Sequence, residues 1–146
     1  MPAGTKYTVP KGMLSDQIEN VDLDRDGRTD HYLFRVKNHF LHAVHPVGWI
    51  KKLVIEIDGK TIDADKAYFV LRGQWFQLTK MYTISEVFWN LCETAAVYVA
   101  CDGGMKPGRH SVKCTFIMSM LEDTHILDTE NKWPFRTETV ENVMEA

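Results

Sequence analysis

The chain has 146 residues, 45% hydrophobic and 25% charged, the balance of one ordinary globular domain, which excludes a disordered or fibrous polypeptide. At that length one core can bury roughly two-thirds of the surface an unfolded chain exposes, so folding requires neither disulfides nor a structural metal. A formal net charge of −3, with basic residues interspersed among acids, leaves no electrostatic footprint for nucleic acid, and no apolar run is long enough to span a bilayer.

In chain order, residues 1–12 (MPAGTKYTVPKG) lack the basic and apolar regions of a secretory signal, so the expected location is the cytoplasm. The first motif is the acidic stretch Asp22–Asp30 (DLDRDGRTD). Oxygen-bearing side chains at alternate positions ahead of a glycine are how a short loop wraps a hard cation. Asp22, Asp24, Asp26 and Asp30 would supply carboxylates, Arg28 a backbone carbonyl and Gly27 the tight bend, which makes a calcium ion one reading. The pattern departs from an EF-hand, because Leu33 stands where the bidentate glutamate belongs and no helices flank the loop. The other reading is an Asp-Gly hairpin whose acidic rim fans out into water.

Residues 31–37 (HYLFRVK) place Tyr32, Phe34 and Val36 on one face, the period of a half-buried strand. A histidine-rich segment follows: His39, Phe40, His42, His45 and Trp49 around Pro46 and Gly48. Imidazoles at three-residue spacing would ligate zinc on a helix, but the proline and glycine make this a loop or irregular edge, and no nearby cysteine or carboxylate completes a tetrahedral site. Flanked by Phe40 and Trp49, these histidines read as a protein-contact surface.

Next, 53–57 (LVIEI) alternates cleanly, and 67–72 (AYFVLR) and 74–78 (QWFQL) are strands joined at a corner marked by Arg72-Gly73. One helical turn is expected around Thr79 to Ile84. Strands 86–91, 95–100 and 109–120 continue the pattern, the last with His110, Val112, Cys114, Phe116, Met118 and Met120 on one face. Asp58-Gly59, Asp102-Gly103-Gly104 and Pro107-Gly108 supply the turns between runs. About seven or eight short strands at this spacing predict an all-β antiparallel sandwich over residues 1–120.

From residue 121 to 146 the sequence turns acidic and polar and reads as a C-terminal tail. Trp133 and Phe135 around Pro134 have no reason to sit in water, so they are expected to dock on the domain itself or on a partner. Cys92, Cys101 and Cys114 lack C-x-x-C spacing and lie in apolar stretches, as buried structural thiols do. No nucleophile elbow, phosphate-cradling glycine loop or dinucleotide unit is present in the sequence, so no catalytic residue is assigned.

The order of landmarks from about Asp26 to Met120 resembles the beta subunit of C-glycoside deglycosidases, a family of bacterial sugar metabolism. The resemblance is carried by Phe34-Arg35-Val36, Gly48-Trp49-Ile50, the stretch Ile55–Lys60, the stretch Phe69–Gly73, Trp89, and the stretch Gly103–His110. These are strand, corner and turn signatures, which speak to fold more than to chemistry. The resemblance implies a heterodimer or higher heteromer with a larger alpha subunit, similar to sugar-isomerase barrels, that carries a divalent metal, Mn2+ or a similar ion, and the acid–base residues. The implied reaction is a carbon–carbon lyase step on 3-oxo-C-glucosides of flavonoids such as 3-oxo-puerarin, in which the ketone acidifies the adjacent C2 proton and elimination expels the aglycone. The chain itself would be non-catalytic, stabilising the alpha subunit and shaping its active site. The alternative is a free-standing carbohydrate- or calcium-binding sandwich module.

Overall fold

The computed structural model describes residues 8–40, 44–119 and 135–146. Strands β1 (Glu19–Val21) and β2 (His31–Lys37) flank the acidic loop, and β3 (Val44–Pro46) leads through a 3-10 turn at Val47–Trp49 into β4 (Ile50–Ile57). After β5 (Lys60–Thr61) come the hairpin of β6 (Ala67–Leu71) and β7 (Gln74–Gln77), a 3-10 helix over Leu78–Thr83, and then β8 (Phe88–Asn90), β9 (Thr94–Ala100), β10 (Arg109–Ser119) and β11 (Phe135–Glu145). The ladders are antiparallel and form one sheet in the order β1-β2-β9-β6-β7, a second in the order β11-β10-β4-β5, and a ribbon of β3 with β8. The all-β sandwich expected from the alternation is the observed fold.

Period-two patterning explains the core. Tyr32, Phe34 and Val36 of β2, Phe69 and Leu71 of β6, and Val97 and Val99 of β9 turn inward from the first sheet, and Leu53, Ile55 and Ile57 of β4 and Val112, Cys114 and Phe116 of β10 meet them from the second. At the centre, Trp89 stands edge-on to Phe40 at 5.8 Å and to Phe69 at 5.1 Å, and Phe40 is edge-on to Phe116 at 5.3 Å, the arrangement that the quadrupoles of aromatic rings favour. The Trp89 indole N–H donates to the carbonyl of Glu93 at 2.8 Å, so the polar end of this buried ring is satisfied.

The corner at Arg72-Gly73 is a two-residue hairpin turn, with φ of 48° and 78°, the left-handed pair whose twist matches the flanking strands. Arg72 also donates to the Glu93 carboxylate and to the carbonyl of Phe88, tying the hairpin to β8. In β4 the register against β10 slips so that Lys51 is the extra residue between Ile50 and Lys52, a bulge. Its buried ammonium donates to the carbonyl of Gly48 at 2.7 Å.

The reading of residues 121–146 as a tail needs correction at its end, because Phe135–Glu145 is an 11-residue strand paired along the whole of β10. Domain and tail therefore do not divide at residue 120. Val140 and Met144 are buried in the common core, but they share the inward-facing set of β11 with Arg136, Glu138 and Asn142, the register partners of Met118, Phe116 and Val112. Arg136 and Glu138 form an ion pair at 3.0 Å. The Asn142 amide donates to the carbonyl of Ser15 at 2.9 Å and to the Asp16 carboxylate at 3.0 Å. The sheet thus takes in polar residues by pairing them.

Candidate functional site

The acidic loop between β1 and β2 folds inward on itself. Carboxylate oxygens of Asp22, Asp24 and Asp30 lie within 4.8 Å of one another. Asp30 accepts from the backbone N–H of Leu23 at 2.9 Å and of Asp24 at 3.1 Å, and from the His31 ring at 2.8 Å. The Leu23 amide and then the His31 contact hold its carboxyl well below the usual carboxylate range. Asp24 is pushed up to about 6, chiefly by the neighbouring Asp22 carboxyl. For Asp22, burial acts upward, but the amides of the turn, led by Gly27 N–H at 2.8 Å, and the Asp24 carboxyl outweigh it and lower the value. Asp22 Oδ1 is shielded from solvent and has no hydrogen-bond partner.

Of the expected ligand set, Asp22, Asp24 and Asp30 converge. Asp26 does not join them: it accepts the Arg28 N–H at 2.8 Å as a turn cap, and Arg28 enters the loop through that N–H. Three carboxylates, one of them with an orphaned oxygen, are hard donors that fit a divalent cation, although calcium takes six or more oxygens. The loop backbone is preset for this shape by Arg25 and Gly27, with φ of 60° and 90°.

The structure takes two residues out of the expected contact surface. Phe40 and His45 are completely buried within this chain, their rings 4.8 Å apart: the β3–β8 pairing sets His45 opposite Trp89, and Phe40 is held by its bridge to Thr8. They are corrected from interface to core residues. His39 sits apart, its ring nitrogen 3.2 Å from the carbonyl of Val9. Trp49 is half-buried, edge-on to His45 at 5.5 Å, and lines a cleft. His42 and Trp133 lie outside the described residues, as does the side chain of Phe135.

Two surface features escaped the sequence reading. On the outer face of the first sheet, Tyr68 of β6, Trp75 of β7 and Tyr98 of β9 are neighbours, with ring centroids at 5.7 and 4.5 Å, and Trp75 is 44% exposed. Val70 and Ala96 share the row of Trp75, beside that of Tyr68 and Tyr98, and the Arg35–Glu19 ion pair borders them. The outward alternation of AYFVL and QWFQ carried this signal. The outer face of the second sheet is different in kind, crossed by Lys113–Glu56 at 3.7 Å, Arg109–Glu145 at 3.5 Å and the Thr115–Thr139 hydroxyl pair. The second feature is a cleft of about 380 Å³ between the Pro46–Trp49 turn and the segment 82–88, with Trp49, Tyr82, Glu86 and Phe88 in its walls.

A family model described as the C-glycoside deglycosidase beta subunit matches residues 11–121, most of the chain. The chain belongs to this family. The landmarks of the C-glycoside deglycosidase beta subunit family now have physical roles. Gly48 has no room for a side chain, since a Cβ would lie 2.1 Å from the Ile84 carbonyl oxygen; Trp89 centres the core; and Met105 is clamped through its N–H and carbonyl by the Asn20 amide at 2.7 and 2.9 Å. The matched span closes just after β10, so β11 is supplied from beyond it. No curated protein matches the chain, and no helix among the described residues is long and apolar enough to cross a membrane.

Proposed function

We infer that this chain is the non-catalytic subunit of a heteromeric carbon–carbon lyase acting on 3-oxo-C-glucosides of flavonoids such as 3-oxo-puerarin. Its partner is a larger barrel-type alpha subunit, which holds the divalent metal, Mn2+ or a similar ion, and the acid–base residues. The observation that carries the reading is the family match over residues 11–121, and the aromatic outer face of the first sheet supports it. Tyr and Trp rings with small apolar neighbours and an arginine-bearing rim have the composition of an interface core. A lone soluble protein has little use for such a patch. Covering the rim of the partner's site would exclude water and shield a carbanionic intermediate from premature protonation.

Co-expression with the larger subunit tests this. Cleavage of a 3-oxo-C-glucoside is expected only from the assembled pair; full activity from the larger protein alone would remove the premise. A second reading, a free-standing calcium-binding module, is favoured by the convergence of Asp22, Asp24 and Asp30 around the orphaned Asp22 Oδ1. It requires a monomer whose stability rises with calcium and which ignores the larger subunit.

A further inference from the structure

We propose that the cleft between the Pro46–Trp49 turn and the segment 82–88 is a binding site for a single neutral pyranose ring. Its volume of about 380 Å³ stands at the small end of ligand pockets and is enough for one ring. Trp49, Tyr82 and Phe88 supply aromatic walls, against which the C–H faces of a sugar pack. Thr83, Ser85 and Glu86 add oxygen-bearing side chains, and a carboxylate can accept hydrogen bonds from two neighbouring hydroxyls at once.

The described lining also disfavours other ligand classes. Among the described lining residues the charged side chain is Glu86, so phosphates, nucleotides and uronic acids would face a carboxylate of their own sign. A lipid chain would strand the oxygen-bearing side chains without partners. Two details of the backbone shape the site. Glu86 stands in the left-handed region at φ 61°, a conformation that a non-glycine residue keeps only where its surroundings impose it. Gly48 lets the 3-10 turn close directly onto the Ile84 carbonyl, which brings the turn that carries Trp49 against the segment 82–88. Phe88 is 43% exposed at the mouth, the placement expected of a ring that a ligand covers. The proposal does not depend on the subunit reading, because it rests on this lining alone.

The test is a titration of the full chain with methyl β-D-glucopyranoside, followed by amide and indole chemical shifts. Saturable shifts clustered on Trp49, Tyr82, Glu86 and Phe88 are expected, with a dissociation constant on the order of 1 mM for so small a ligand. Glu86→Gln and Phe88→Ala change exposed side chains and should weaken binding about fivefold or more while leaving the remaining spectrum in place. Sodium glucuronate should shift none of these signals. Absence of clustered shifts up to about 50 mM sugar, equal affinity in both variants, or tighter binding of glucuronate would overturn the proposal. Failure of the subunit reading would show elsewhere, as lack of assembly with the larger protein.

Discussion

The ring nitrogens of His110 both face acceptors: Nδ1 lies 2.7 Å from the Asp58 carboxylate and Nε2 lies 2.7 Å from the carbonyl of Lys106. Neither carbonyl nor carboxylate has a proton to give, so both nitrogens must donate and the imidazolium is the form that fits. Asp58, and after it the Lys106 carbonyl, raises His110 above its ordinary value of 6.5, and His110 followed by the Ser111 amide lowers Asp58 below 3.8. The raised group stabilises the fold fully below 6.5 and loses its effect as pH rises through its folded value; the lowered group does so above 3.8 and loses its effect as pH falls. Both act together between those limits. The gap in urea midpoint between wild type and His110→Gln is therefore expected to be widest near about pH 5 and to narrow toward about pH 9; a gap independent of pH would refute the pairing. At Gly48 the constraint is steric. Gly48→Ala places a methyl against backbone, the Ile84 oxygen, and should cost about 2–3 kcal/mol, read as a lower urea midpoint at unchanged slope.

Among the elements, the acidic loop offers a measurable consequence of its converging carboxylates. A cation held by them would bind the folded chain alone and raise the melting temperature with concentration. If Asp22, Asp24 and Asp30 hold calcium, millimolar calcium should raise the melting temperature over an EDTA control, and Asp24→Asn should abolish the rise. The same melts in both media would assign the loop to an acidic hairpin. How well each element could be read from sequence followed the purity of its alternation. β2 spans the residues expected for it, and β4, β9 and β10 were recognisable because one face of each is nearly all apolar. β11 was not, since Arg136, Glu138 and Asn142 interrupt Val140 and Met144 on its inward face. The Asp-x-Asp spacing located the acidic loop but could not distinguish a ligand from a turn cap, which is what Asp26 is. The burial of His45 was not legible because side-chain direction in a short irregular strand is set by its pairing partner, here β8, and that partner is distant in sequence.

For the whole molecule, the contrast between the two outer faces is the main guide to assembly. One is laced with cross-strand charges and suits water; the other presents Trp75, Tyr68 and Tyr98. Trp75→Glu puts a charge in the middle of that aromatic group without entering the core. It should weaken association with the larger subunit by about tenfold or more, measured by sedimentation or co-purification, with little change in melting temperature. Assembly as tight as that of the wild type would move the interface to another face.

The polar composition of β11 has a bearing on solubility. β10 offers Val112, Cys114, Phe116, Ile117 and Met118 along one extended backbone, the kind of segment that recruits foreign strands when its flank is open. β11 occupies that flank for eleven residues and turns outward a row of Thr137, Thr139, Glu141, Val143 and Glu145, so the rim it leaves behind is guarded mostly by charge and hydroxyl groups. A fragment ending where the family match ends, at residue 121, would lose this chaperoning strand and should precipitate.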